Sequence, residues 1–280
     1  MKRRLLFFLC LLCIKLVLSA YAAEVHEREA VFLPVLMYHQ VTNPITESEW
    51  EISRSVFLRH MRFLSANGFN TITIADLIEF VFGDGELPEN PVLITFDDGY
   101  LNVYRYAFPV LEYFGHRAVS FIIGHNVGQT TYKDTGQPVT PKFGFGDARN
   151  MLHVMDIQSH SFDMHQWAYF ETGRARENML RWYDECVYEY TEILTKDHKK
   201  ISDLIYRELG INVVAVAFPG GRFDALMLDI LIDLGVKVTF RSTPGNNFVV
   251  RGEPASLHGL RRINMTNRID EEELWRLLRE

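Results

Sequence analysis

Two short stretches of this 280-residue chain hold the residue types that hydrolytic chemistry asks for. In Val92-Leu93-Ile94-Thr95-Phe96-Asp97-Asp98-Gly99-Tyr100 an apolar, β-rich run stops on a pair of carboxylates. Neighbouring strand residues point to opposite faces, so Asp97 and Asp98 take separate jobs only where the backbone turns, and Gly99 supplies that freedom. An inert Asp-Asp-Gly turn closing a buried strand would use the same residues. A second stretch favours chemistry. In Ile157-Gln158-Ser159-His160-Ser161-Phe162-Asp163-Met164-His165, an apolar run from Val154 runs into polar residues that carry His160 and His165. On a helix, side chains five apart diverge by roughly 140° and could not share an ion, so the spacing favours a strand end and a loop folding back. Two imidazoles and one carboxylate match a catalytic zinc, which usually keeps three protein ligands and one open position. The same donors accept iron, cobalt or nickel.

Elements alternate around these stretches. Strands are expected at Val31 to Met37, Thr71 to Ile74, Val92 to Phe96, Ala118 to Ile123, Met155 to Gln158, Val213 to Phe218 and Val236 to Phe240. Helices are expected at Ser55 to Ala66, Ala75 to Phe82, Tyr106 to Phe114, Asp147 to His153, Arg176 to Leu194, Ile201 to Leu209 and Asp224 to Leu234, with a last one over Glu271 to Glu280. Such alternation argues a parallel sheet with crossover helices, curled into a barrel-like α/β fold. In such barrels functional residues gather at the carboxyl ends of strands, where Asp97, Asp98, His160, His165 and Gly220 all fall. The long loop Thr130 to Gly146 is placed to rim a substrate groove.

Thr95-Phe96-Asp97-Asp98-Gly99-Tyr100 and His160-Ser161-Phe162-Asp163-Met164-His165 resemble the first two motifs of the polysaccharide deacetylases, the NodB-homology or carbohydrate esterase family 4 enzymes. Pro34-Val35-Leu36-Met37-Tyr38-His39-Gln40-Val41 and Ala217-Phe218-Pro219-Gly220-Gly221 are similar to further family segments, and the resemblance runs from about Val31 to Arg262. It implies a distorted (β/α)7 barrel, a divalent metal on Asp98, His160 and His165, Asp97 as general base, and the Gly220 backbone N–H as oxyanion donor. The five-residue histidine spacing resembles the branch that holds the poly-N-acetylglucosamine deacetylases, implying a β-1,6-linked or peptidoglycan-type N-acetylglucosamine polymer as partner.

Three positions depart from the family pattern. The arginine and the tyrosine side chain of its third motif are replaced around Phe218-Pro219-Gly220, leaving Arg222, Arg241, Arg261 or Arg262 to stand in for the missing cation. The Leu-x-His that supplies the general acid is also not intact: Leu257-His258 puts its histidine one residue too close, so His258 and His39 are both weak candidates for the acid. His125 falls on the same barrel face without a role. Trp167, with Phe162 and Tyr169, is a candidate to stack on sugar rings.

Composition fits a secreted, single-domain enzyme. Residues 1–23 have a basic start (Lys2, Arg3, Arg4), an apolar stretch from Leu5 to Leu18 and a small-residue ending at Ala20-Tyr21-Ala22-Ala23. That is the pattern of a Sec-type signal peptide, or of an uncleaved N-terminal anchor that would be the chain's only tie to a membrane. The catalytic domain is then 24–280. Cys10 and Cys13 leave with the leader and Cys186 remains alone, so the mature chain makes no internal disulfide. With 48% hydrophobic residues over the full sequence, the chain can bury a full core without staples. Losing Lys2, Arg3, Arg4 and Lys15 moves the net charge from −7 to −11, which disfavours nucleic acid and suits a neutral glycan. The alternatives are a glycan-binding protein on an impaired catalytic scaffold and an O-acetyl esterase.

Overall fold

The computed structural model describes residues 29–43 and 48–279; the expected signal peptide lies outside the described residues. In chain order the strands are β1 (Ala30–Leu33), β2 (Val35–Tyr38), β3 (Gln40–Thr42), β4 (Glu51–Ser53), β5 (Asn70–Thr71), β6 (Pro91–Asp97), β7 (Ala118–Ile122), β8 (Met155–Ser159), β9 (Ala215–Ala217), β10 (Val238–Phe240), β11 (Asn247–Val250) and β12 (Ile263–Asn264). The α-helices are α1 (Arg54–Ala66), α2 (Ile74–Phe82), α3 (Phe108–Phe114, entered through a π-helical turn at Val103–Ala107), α4 (Phe145–Met151), α5 (Val187–Leu209), α6 (Ala225–Asp233) and α7 (Glu271–Leu277).

A parallel sheet in the order β10-β9-β8-β7-β6-β2-β12 forms the frame, with β5 also paired to β6. Every residue of β6 is buried, as its unbroken Val-Leu-Ile run requires of a central parallel strand. Alternation along β6 sorts its side chains: Val92, Ile94 and Phe96 pack outward under the helices, while Leu93 packs into the barrel interior with Val35, Val119, Ala215 and Val238. Thr95 and Asp97 share the parity of Leu93. A carboxylate therefore ends the interior face of the strand.

The barrel curls toward closure through one short segment. Leu260 bridges to Phe240 on β10, and three residues later Ile263 pairs with Leu36 on β2. This crossing segment carries Arg262, 1% exposed, into the interior.

Several boundaries differ from the sequence expectation. Pro34, which has no N–H to donate, splits the first strand, and β1 turns to pair antiparallel with β11. Strand β5 stops at Thr71, because Thr73 caps α2 in a capping box with Asp76. The two helices expected over 176–194 and 201–209 are one, α5, which starts at Val187 and ends at left-handed Gly210. Residues 174–186 form no helix. Their side chains are tied locally, Arg174 to Asp184 at 2.6 Å and Arg176 to Glu185, with both guanidiniums over Trp182. Among the described residues no helix is long and apolar enough to cross a membrane.

Two core histidines make the fold acid-sensitive. His60 accepts from Tyr38 Oη (3.2 Å) through Nδ1 and donates Nε2–H to the Ile269 carbonyl (2.9 Å), and burial lowers its pKa to about 4. His198, 4% exposed, is lowered by burial to about 4 as well. Both are neutral when folded and titrate near 6.5 when unfolded, so their contribution is complete above that value and is lost as pH falls toward 4. Each contributes roughly 3 kcal/mol across that window. Urea midpoints should fall steeply between pH 6.5 and 4, and His60→Gln should flatten the slope. Parallel slopes in the two proteins would refute the assignment.

Candidate active site

The turn after β6 begins one residue earlier than the glycine suggested. Asp98 itself adopts a left-handed backbone (φ 70°), followed by Gly99 (φ 69°). Asp is one of the few side chains that accepts this region, and the double turn swings the second carboxylate back beside the first.

The histidine loop is fastened from two sides. From the end of β7, Ile122 O accepts His160 N–H (2.9 Å), while Gly124 and His125 N–H groups bond the Ser161 and Phe162 carbonyls (3.0 Å each). A Cβ on Gly124 would lie 2.5 Å from the Phe162 ring, so only glycine permits this approach. From α5, Asp197 accepts the N–H groups of Phe162 and Asp163, both at 2.8 Å. His125 also aims Nδ1 at the Phe162 carbonyl (2.9 Å) and Asp163 (3.2 Å), giving it a place in loop anchoring.

This scaffold brings Asp98, His160 and His165 together, with one donor atom from each within 4.8 Å of the others. Asp98 Oδ1 lies 3.6 Å from His160 Nε2 and 3.7 Å from His165 Nε2. Donors about 2.05 Å from a tetrahedral zinc would be about 3.3 Å apart, so the three fit an ion after a small contraction. His160 donates Nδ1–H to Ala217 O at 2.7 Å, which leaves the Nε2 lone pair facing Asp98. Asp98 Oδ1 has no hydrogen-bond partner among the described residues. Side-chain exposure rises from 3% at His160 through 13% at Asp98 to 24% at His165, so the cluster opens on the His165 side.

Asp97 stands beside the triad with His160 Nε2 at 4.0 Å and is held by the bidentate guanidinium of Arg262, 2.7 Å at both contacts. Arg262 also donates to Arg241 O (3.0 Å) and Thr95 Oγ1 (3.3 Å). Burial alone would raise the Asp97 pKa; the charge and hydrogen bonds of Arg262 outweigh it and hold the carboxyl below its ordinary value. Of the four arginines considered from sequence, Arg262 is the one that reaches Asp97.

His39 lies in the same site. Burial lowers its pKa, the Asp97 and Asp98 charges oppose that, and the exposed Trp50 ring packs edge-on against it at 4.8 Å. His258 lies elsewhere. Its ring is 3.5 Å from Thr239 Oγ1 within β10, and burial alone lowers its pKa, with no charge from the triad acting on it. Gly220 sits in an exposed left-handed turn after β9 (φ 63°), three residues beyond the carbonyl that orients His160. Trp167 is half-buried in a ring cluster with Tyr132 (5.7 Å), Tyr169 (6.0 Å) and Phe170 (5.7 Å). Of those rings Tyr169 is the exposed one, at 76%.

Sequence reasoning missed Lys142. The loop expected to rim the groove is stitched to the Asp-Asp-Gly turn: Leu101 N–H bonds Pro141 O (2.8 Å), Phe143 N–H bonds Gly99 O (3.0 Å), and Tyr100 bridges antiparallel to Lys142. Lys142 is 3% exposed with Nζ 3.3 Å from the Tyr100 ring centroid, and burial lowers its pKa to about 8 against the pull of Asp98. Nothing in the Pro-Lys-Phe sequence marks this placement.

A curled parallel barrel with this cluster at the carboxyl ends of its strands is the fold of the NodB-type deacetylases. The chain belongs to the polysaccharide deacetylase family, whose model matches residues 84–239. Among relatives, YxkH of Bacillus subtilis (strain 168) is 26% identical over 214 residues, 76% of this chain and 65% of that one. The poly-β-1,6-N-acetyl-D-glucosamine N-deacetylase of Escherichia coli (strain K12) is 24% identical over 229 residues, 75% of this chain and 34% of that one. The chain thus spans less than two thirds of the length of these relatives. Among solved structures, a de-N-acetylase from Aggregatibacter actinomycetemcomitans aligns with a TM-score of 0.73 at 21% identity, covering 88% of this chain and 100% of that one. IcaB from Ammonifex degensii aligns at 0.71 and 22%, covering 89% and 97%. At such identities the likeness is one of fold.

Proposed function

We propose that this chain is a divalent-metal-dependent hydrolase that removes acetyl groups from N-acetylglucosamine units of an extracellular or cell-envelope polysaccharide. The observation that carries the reading is Asp97, ion-paired and ionised, at van der Waals range of a three-donor cluster of Asp98, His160 and His165. The donor chemistry suits zinc, and cobalt, nickel or iron are compatible. When bound, the ion would polarise the acetamide carbonyl and acidify a water.

The chain's own groups supply the remaining steps. Asp97, fixed by Arg262 and unable to rotate away, accepts the proton of the attacking water. The Gly220 N–H donates to the carbonyl oxygen as negative charge develops there. His39 delivers a proton to the departing amine nitrogen. Trp50 and Tyr169 present exposed rings for sugar faces, with Trp167 supporting Tyr169 from behind. The leader at 1–23 supports export of a 24–280 catalytic domain.

The test is acetate release by the Glu24 to Glu280 form from poly-β-1,6-N-acetylglucosamine and from peptidoglycan glycan strands. Release should cease in chelator and return when zinc or cobalt is restored. Turnover that survives exhaustive chelation would refute the metal reading, and release only from O-acetylated glycans would reassign the substrate.

A further inference from the structure

We infer that Lys133 is a positioning residue for the sugar-stacking rings: by bridging Asp163 and Glu171 it ties the rim loop to residues 163–171 and holds Trp167 and Tyr169 in register with the metal cluster. This rests on the reading of those two rings as sugar contacts and adds a residue outside both the rings and the triad.

The rings stand on chain that has no regular support of its own. Between β8 and α5 the chain passes through residues 160–186 without a strand or helix, so no backbone ladder fixes it. The part up to Asp163 is fastened by β7 and by Asp197. Beyond His165 the backbone bonds are local, Gln166 N–H to Arg176 O and Phe170 N–H to Trp167 O, both at 2.9 Å. Residues 166–171 are tied to the rim loop instead. Tyr132, 1% exposed, stacks on Trp167 at 5.7 Å and on Phe170 at 4.9 Å. Its hydroxyl accepts Trp167 N–H (3.3 Å) and donates to Glu171 Oε1 (2.5 Å).

Lys133 completes this tie with charge. Its Nζ lies 3.0 Å from Asp163 Oδ1, 3.1 Å from Asp163 Oδ2 and 2.5 Å from Glu171 Oε1. The ammonium therefore sits between two carboxylates that would otherwise repel. His125 Nδ1, also near Asp163, is shared with the Phe162 carbonyl. The three charged side chains are 21 to 34% exposed, so solvent weakens the bridge without removing it. The backbone is strained where the lysine is placed: Lys133 has φ 44°, a left-handed conformation that a residue with a Cβ disfavours. Glycine would relieve that strain but lose the ammonium.

The far end of the rim loop is fixed to the turn of Asp98 through Leu101 with Pro141 and Phe143 with Gly99. Within the loop, Val139 N–H bonds Thr130 O (3.0 Å) and Tyr132 N–H bonds Gln137 O (2.8 Å). A continuous strut thus runs from the turn of Asp98 through Lys133 to the rings. Cutting it at Lys133 leaves the triad in place and frees the rings.

The test compares the zinc-loaded wild type with Lys133→Met, Lys133→Arg, Glu171→Gln and the double variant Lys133→Met/Glu171→Gln. Substrates are β-1,6- and β-1,4-linked N-acetylglucosamine pentamers and an aryl acetate too small to span the site. Lys133→Met should raise KM for the pentamer at least tenfold with kcat within threefold, and leave aryl acetate hydrolysis and zinc content within twofold of the wild type. Amide exchange over 165–173 should quicken while that over 157–162 stays unchanged. Lys133→Arg, whose fork can span both carboxylates, should stay within threefold of the wild type. The double variant should be no worse than Lys133→Met, because the two side chains act as one unit. If Lys133→Met does not fold, Glu171→Gln reads the same split, with KM expected to rise at least threefold. Equal losses on both kinds of substrate, loss of zinc, or KM and exchange at wild-type values overturn the inference and leave the deacetylase reading standing. A wild type that releases acetate from no N-acetylated glycan removes both.

Discussion

Asp97→Asn should lower acetate release by about 10²- to 10⁴-fold, the range for loss of a positioned general base, while bound zinc stays at the wild-type level. The second half of that expectation separates Asp97 from its neighbour. Asp98 supplies the oxygen that faces both imidazoles, whereas the two Asp97 oxygens are taken up by Arg262 Nη1 and Nη2. An amide at position 97 keeps the size of the carboxylate but accepts no proton and offers only one acceptor to the guanidinium. Arg262, 1% exposed, would be left with an uncompensated charge in the barrel interior. A stability loss of roughly 3 kcal/mol accompanies such a broken buried pair. Urea denaturation of the variant measures this separately, and assays well below its midpoint keep folding out of the rate. Loss of zinc from Asp97→Asn, or activity within tenfold of the wild type, would exclude Asp97 as the base.

How far this site was legible in the sequence depends on whether each contact is local. The strand that ends on Asp97 and the loop that holds His160 and His165 are each specified within about ten residues, so their apolar runs and polar ends are readable directly. The barrel class follows from the same alternation. Arg262 is different: it immediately precedes β12, a strand of two residues, and only the crossing from β10 to β2 turns the side chain inward. No periodicity marks a strand so short, and the sequence offered four arginines with equal claim. Lys142 was further out of reach, because its position depends on a loop pairing backbone to backbone with a turn some forty residues earlier. The misplaced start of α5 has a local cause. Residues 176–186 contain helix formers, yet Arg174, Arg176 and Trp182 are engaged by aromatic and carboxylate partners that outweigh helix propensity.

The departures from the family pattern then resolve by geometry. A guanidinium that fixes Asp97 need not arrive from the third motif, provided that it reaches both oxygens, and Arg262 does so from the barrel's closing segment. The same reasoning applies to the acid. His258 remains near the sequence position of the family's late histidine, but its ring is beside Thr239, and no charge of the triad acts on it. His39 follows β2, the strand adjacent to β6, and shares the field of Asp97 and Asp98.

His39→Ala should therefore reduce deacetylation about 10²- to 10³-fold, in keeping with loss of a general acid, and His258→Ala should remain within twofold of the wild type. The nature of the leaving group makes the assignment sharper. An amine leaves only after it gains a proton, whereas a phenoxide departs with little help. If His39 supplies that proton, His39→Ala should lose far less activity on an aryl acetate than on the N-acetylated glycan, and the ratio of the two rates should shift by at least tenfold. Burial lowers the His39 pKa while Asp97 and Asp98 raise it, so removing either carboxylate should make the ring harder to protonate. Equal losses on both substrates would mean that His39 only orients Trp50 and the substrate. A large loss in His258→Ala confined to the glycan would return the role to the late histidine despite its distance in the fold.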